Sequence, residues 1–241
     1  MEGHVNIAPY FYKIYRVDGK GAPARYLGMS IPVAPRGGLL TARHVVDVEL
    51  ASDERIAVAD HGMQHLCPVD AVRFSTDCTL DLAYISSNSM RGQREYLPIL
   101  SPPEIRMGLD VYTFGHYLPE GSRTETRHGY FKGNVVNVSD AMPTGHVGLT
   151  LSYPILEGLS GSAILTYHNG VKIVGLAIGN AASRVLAQEH VEYVHAGDEI
   201  HVRESVHRII ELGQAHNAPS IIRFADELSL PILVTSERAN V

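Results

Sequence analysis

Ser160 stands among small residues in the stretch LEGLSGSAIL, Leu156 to Leu165, with apolar residues on both sides. Small residues let backbone N–H groups converge on one point, and a serine at that point can attack a carbonyl whose developing charge those groups stabilise. A plain turn is the other reading, and a base and an acid elsewhere in the chain must decide. His44 follows the apolar run in GGLLTARHVVD, where a strand can fix an imidazole facing a cleft; taken alone it is a packed or exposed histidine. Asp81 heads the apolar run in TLDLAYIS, where a carboxylate is poorly solvated unless something donates to it, and imidazole Nδ1–H is a suitable donor. The order His44, Asp81, Ser160, with separations of 37 and 79 residues, is one of three in which a Ser, His and Asp set occurs on unrelated folds.

The segments that must carry these residues are short and rich in β-branched and aromatic side chains. YFYKIYRV, YLGMSIPVA, GGLLTA, RIAVAD, LDLAYIS, DVYTFGHY, GYFKGNVVNVS, GLTLSYPI and SAILTYHNGVKIVGLAIG recur between turn residues, which predicts an antiparallel all-β sandwich or barrel. YHNGVKIVG is the clearest hairpin, with Asn169 and Gly170 supplying the positive φ of a tight turn. Near the C-terminus Val202, Val206, Ile209, Ile210 and Leu212 recur roughly at helical spacing and Gly213 offers a stop, so an amphipathic helix is expected there. Beyond it, a further short helix and an extended tail are expected. No repeat or linker divides the chain, so residues 1–213 read as one domain and 214–241 as an extension packed on it or on a partner.

With 45% hydrophobic and 19% charged residues the 241-residue chain has the composition of an ordinary globular protein. A net charge of −6 without a basic stripe argues against nucleic acid as a partner. The N-terminal residues lack the apolar core of a signal peptide and no run reaches membrane-spanning length, so a cytoplasmic chain with no membrane partner is expected. Cys67 and Cys78 are too few for a disulfide framework, although a single bridge stays open. His61, His65, Cys67 and Cys78 allow a zinc reading, but the segment lacks the helical pattern that turns histidines four apart toward one ligand. No metal or other cofactor is expected. His195, His201 and His207 read as a solvated face, and the glycines of GVKIVGLAIGN lack the lysine and helix of a phosphate loop.

The three motifs together resemble the trypsin-like, or chymotrypsin-like, serine protease family, especially simple bacterial members without disulfides. LLTARHVV is similar to the family's LTAAHC or LTNAHVV segment, LDLAYI to its DLALL segment, EGLSGSAIL to its GDSGGP loop and VKIVGLAIG to the strand behind the nucleophile. The resemblance runs over roughly residues 25 to 212. It implies two six-stranded antiparallel β-barrels with the site between them and a C-terminal helix and tail outside. Among the departures, Ser162 and Ala163 replace glycine and proline, Leu159 precedes the serine, Arg43 precedes the histidine, and no IVGG start implies activation by N-terminal cleavage.

Position by position, the resemblance implies Ser160 as nucleophile, His44 as base, Asp81 as the residue that orients His44, and the N–H groups of Gly158 and Ser160 as oxyanion hole. If Asp81 fails, Asp77 and Asp70 are the nearest substitutes. Pro154 stands six residues before Ser160, where trypsin's specificity depends on an aspartate, so cleavage after Arg or Lys loses that partner unless Glu157 or Asp198 replaces it. Ala177, Ile178, Gly179 and Asn180 would form the other wall of a pocket for a small or medium apolar side chain, or one capped by Asn180. The expected function is a serine endopeptidase acting on protein or peptide substrates, of restricted specificity or switched on by a partner protein. A peptide-binding module without turnover and a hydrolase of small esters or amides are the rivals.

Overall fold

The computed structural model describes residues 7–34, 37–60, 62, 65–90, 96–139, 148–167, 170–196 and 198–235, with side chains described throughout except at 8, 103, 183–196 and 198–209. The N-terminal half supplies strands β1 (Tyr12–Val17), β2 (Pro23–Ala34), β3 (Gly38–Thr41), β4 (Arg55–Ala59), β5 (Leu66–Pro68), β6 (Ala71–Phe74) and β7 (Ala83–Ser86), with the single helical turn α1 (Arg43–Val46) after β3. They form one seven-stranded sheet in the order β5-β4-β1-β2-β3-β7-β6, curled into a half-barrel. β2 bridges its two halves, pairing with β1 through Ser30 and with β3 from Ile31 onward.

Six further strands follow: β8 (Asp110–Tyr117), β9 (Arg127–Ser139), β10 (Gly148–Leu151), β11 (Ala163–Tyr167), β12 (Val171–Ala196) and β13 (Asp198–Asn217). They close into a barrel in the order β10-β13-β12-β11-β8-β9. The chain ends its regular structure in helix α2 (Ala218–Glu227). The all-β, chymotrypsin-like expectation with a C-terminal helix is therefore borne out, and the first of the two lobes is a curled sheet of seven described strands where six in a barrel were expected. Residues 214–217, counted with the tail in the sequence reading, pair with β10 and β12 in the second barrel.

One element is corrected. The segment around Val202–Leu212 is strand, not helix: β13 pairs antiparallel with β12 from Gly175↔Asn217 to Ala196↔Asp198. Of the five residues read as helical, Val202, Val206, Ile210 and Leu212 fall on even-numbered positions and so also satisfy a period of two, Ile209 being the exception, and their β-branched majority favours extended backbone. The helix lies after this strand. Asn217 caps it by accepting from the N–H of Ser220 at 3.0 Å, and Pro219 stands in its first turn, where a missing N–H costs nothing. At the β11–β12 turn Gly170 has φ 102°, as a tight hairpin requires, while Asn169 lies outside the described residues.

The two lobes share an apolar interior. Phe11, Ile14, Tyr26, Met29, Ile31 and Leu40 of the first lobe pack with Ala163, Leu165 and Leu176 of the second barrel and with Ile221 and Phe224 of α2. A second cluster around Leu149, Leu151, Leu159 and Val174 fills the closed barrel. Fully burying such a side chain contributes about 1.5–3 kcal/mol, so this shared cluster holds the two lobes together. No described helix is long and apolar enough to cross a membrane.

Candidate active site

α1 and the approach to β7 bring His44 and Asp81 together. His44 Nδ1 lies 2.6 Å from Asp81 Oδ2, and the backbone N–H of His44 donates to Asp81 Oδ1 at 2.9 Å. A carboxylate only accepts, so Nδ1 carries the proton and Nε2 keeps a lone pair for another donor. The Asp81 carbonyl accepts from the Arg43 N–H at 3.2 Å, which ties the loop before β7 to the start of α1. Burial works to raise the Asp81 carboxyl, but the hydrogen bond and charge of His44 and its backbone N–H outweigh it and hold the pKa below the ordinary value. The imidazole is about half exposed and the carboxylate 19% exposed, so the pair has a wet face and a dry one. Asp77, the substitute considered from sequence, instead pairs with Arg223 of α2 at 3.1 Å, and Asp70 accepts from the N–H of Asn88.

Ser160 lies in the loop before β11, on the other lobe. Its carbonyl accepts from the Met29 N–H at 2.8 Å. A methyl group at Gly28 would meet both that carbonyl and the side chain of Val45, the residue after His44. One at Gly161 would collide with the Met29 carbonyl and with Thr41 Oγ1. The Ser160 loop and the start of α1 thus meet across backbone that leaves no room for a side chain. The Ser160 hydroxyl itself donates to the Ile178 carbonyl at 3.3 Å.

The two peptides that carry the N–H groups of Gly158 and Ser160 are held by their carbonyls. Glu157 C=O accepts from the Leu118 N–H at 2.9 Å, and Leu159 C=O accepts from the Ser162 N–H at 3.0 Å. Because N–H and C=O of a trans peptide point in opposite directions, these bonds turn the N–H groups of Gly158 and Ser160 the other way, and neither has an acceptor among the described residues. Gly158 has φ 94°, which L-residues rarely adopt, and an added Cβ would meet the Tyr26 ring at 2.6 Å. Tyr26, fully buried on β2, shares its hydroxyl proton between the carbonyls of His116 and Gly158, each at 2.9 Å. Burial, with the nearby Tyr15, raises its pKa well above the ordinary value, so the hydroxyl stays a donor.

The segments expected to wall a pocket are also joined. Asn180 Oδ1 accepts from the Ile155 N–H at 2.6 Å and its Nδ2 donates to the Ile155 carbonyl at 3.0 Å. Gly213 N–H donates to the Tyr153 carbonyl at 2.9 Å, so Pro154 sits between two anchored neighbours. Ile178 and Gly179 are half-buried and Asn180 is exposed, whereas Ala177 is fully buried, with its backbone bonded to Gly161 and Ser162. Asp198 closes the far end of the β12–β13 hairpin, on the order of 50 Å along the strand from Asn180 at ~3.3 Å per residue, and takes no part in this wall.

The departures from the family pattern are accommodated. Arg43 turns away to Asp47 at 2.9 Å and over the Phe74 ring at 4.7 Å. Leu159 is fully buried in the barrel core. Ser162 fits, but its buried hydroxyl has no hydrogen-bond partner among the described residues. Cys67 and Cys78 are unbridged. Of the residues in the zinc reading, His61 lies outside the described residues, and no group of three His, Cys, Asp or Glu able to hold a metal occurs among those described.

Three contributors carried no local signal. His216 of β13 accepts from the Asp81 N–H through Nε2 at 2.9 Å. Tyr26 supports the Gly158 turn. Glu227 of α2 accepts from Ser75 Oγ and from the Thr76 N–H, both at 2.6 Å, and so grips the loop that leads to Asp81.

The sequence profile of the trypsin-like peptidase domain matches residues 28–176, more than half of the chain. The matched range includes His44, Asp81, Gly158 and Ser160 and ends just before Ala177. No curated protein matches the chain.

Proposed function

Because the chain belongs to the trypsin-like peptidase family and has a chymotrypsin-like two-lobed β fold, we propose that it is a serine endopeptidase working through Ser160, His44 and Asp81. The observation that best supports this reading is the two-point grip of Asp81 on His44, which leaves Nε2 as the free basic nitrogen. In the proposed reaction Ser160 Oγ leaves the Ile178 carbonyl, gives its proton to His44 Nε2 and attacks the scissile carbonyl carbon. The oxyanion forms between the N–H groups of Gly158 and Ser160, each such donor being worth about 3 kcal/mol. Collapse breaks the C–N bond as His44 protonates the leaving amine. Water then attacks the acyl-enzyme, His44 takes its proton, and the proton returns to Ser160 as the acid product departs; Asp81 stays ionised throughout.

The substrate proposed is a protein or peptide with a small or medium apolar residue beside Pro154, Ile178, Gly179 and Asn180. Narrow specificity or a regulatory partner would restrain such an enzyme in the cytoplasm. Intact-mass analysis after treatment with a fluorophosphonate tests the chemistry. A single adduct on the wild type, absent from Ser160→Ala and His44→Ala, is the expected result. A folded wild type that takes no adduct overturns it in favour of a peptide-binding module without turnover.

A further inference from the structure

We propose that His216 is a positioning residue that fixes Asp81, and through it His44, relative to the barrel that carries Ser160; this rests on the catalytic roles proposed above. His216 is fully buried on β13, and its Nε2 lies 2.9 Å from the Asp81 backbone nitrogen. A backbone amide can only donate there, so Nε2 presents its lone pair and the ring proton sits on Nδ1.

The other bonds to Asp81 come from its own lobe: Arg43 N–H to the carbonyl, His44 N–H to Oδ1 and His44 Nδ1 to Oδ2. They make His44 and Asp81 one unit but leave open where that unit stands relative to Ser160. The contact with His216 crosses to the second barrel, on a strand that pairs with β12 at Leu176 and with β10 at Gly148. Across β12 the backbones approach so closely that a side chain at Gly175 would collide with the His216 carbonyl. A rigid ring on an immobile strand thus meets the backbone of the acid from the nucleophile's side. A displacement of about 1 Å between reacting groups costs on the order of 100-fold in rate, which is the sensitivity this contact protects.

The test uses the full chain with His216→Leu, which fills a similar volume but offers no acceptor, and His216→Gln, whose amide oxygen can accept the Asp81 N–H. Two readouts are needed: the second-order rate of fluorophosphonate labelling, and the downfield proton NMR signal of His44 Nδ1–H. The expected result is a folded His216→Leu that labels about 10- to 100-fold more slowly with a shifted His44 signal, and a His216→Gln within severalfold of wild type on both measures. A His216→Leu with wild-type rate and signal overturns the proposal, as do two equally slow variants with an unshifted signal, which would mark a role in packing alone. Should His216→Leu not fold, His216→Gln decides by keeping or losing the wild-type rate and signal. A wild type that never labels refutes the catalytic reading, and the His44 signal then decides the role of His216 by itself.

Discussion

The backbone N–H of Met29, on β2, donates to the carbonyl of Ser160 in the opposite lobe at 2.8 Å. Gly28 and Gly161 flank this bond, and neither site has room for a methyl group. Gly161→Ala is expected to cost ~1–3 kcal/mol from its φ of 86° alone, with the collision against the Met29 carbonyl added. Chemical denaturation gives the loss of stability, and fluorophosphonate labelling is expected to slow in the fraction that still folds.

Asp81→Asn removes the acceptor that keeps the His44 proton on Nδ1. The fold should survive, since the Asp81 backbone contacts with Arg43 and His216 do not involve the carboxylate. Turnover is expected to fall by about 10⁴-fold, measured as acylation rate beside an unchanged circular dichroism spectrum.

Tyr26→Phe leaves the buried carbonyls of His116 and Gly158 without the hydroxyl they share. The expected loss is about 1–3 kcal/mol of stability. Acylation should slow as well, because the Gly158 turn loses its anchor. A variant of equal labelling rate and lowered melting temperature would reduce Tyr26 to a structural residue.

Ser162→Ala should do the opposite to stability. Its hydroxyl is buried without a partner among the described residues, and removing an unsatisfied group of this kind is expected to stabilise by about 1 kcal/mol. A lowered denaturation midpoint would show that the hydroxyl does find a partner.

Acid sensitivity follows from two depressed carboxyls. The Asp81 carboxyl is lowered by the factors described above, and that of Glu227 by the hydrogen bonds from Ser75 and Thr76. A carboxyl whose folded pKa lies below its unfolded one contributes stability above the ordinary carboxylate range, and this is lost as pH falls through the folded value. Stability should therefore drop below about pH 4, and Glu227→Gln should flatten that drop. An unchanged slope between pH 4 and 3 in the variant would remove Glu227 from the account.

What the sequence carried was local. DVYTFGHY became β8 residue for residue, and the alternation in SAILT and VKIVG marked the β11–β12 hairpin. Small residues around Ser160 and the apolar runs beside His44 and Asp81 singled out three residues, and the structure joins His44 directly to Asp81. The short strands β5 and β6 escaped because three or four mixed residues carry no readable period. β13 was misread because four of its five apolar positions fit two periods at once. Tyr26, His216 and Glu227 were invisible for a different reason: each works by one or two bonds to residues 90 to 152 positions away, and no local pattern encodes a bond of that span.

The late position of His216 and Glu227 also sets a timetable. A growing chain has His44, Asp81 and Ser160 in hand by residue 160, yet the histidine that holds the Asp81 N–H emerges only at 216 and the carboxylate that grips Ser75 and Thr76 only at 227. Contacts of such span close late, after the loop between them has been ordered. Asp81 and the loop leading to it therefore acquire these two contacts among the last events of folding, and a chain interrupted before His216 carries His44, Asp81 and Ser160 without either of them.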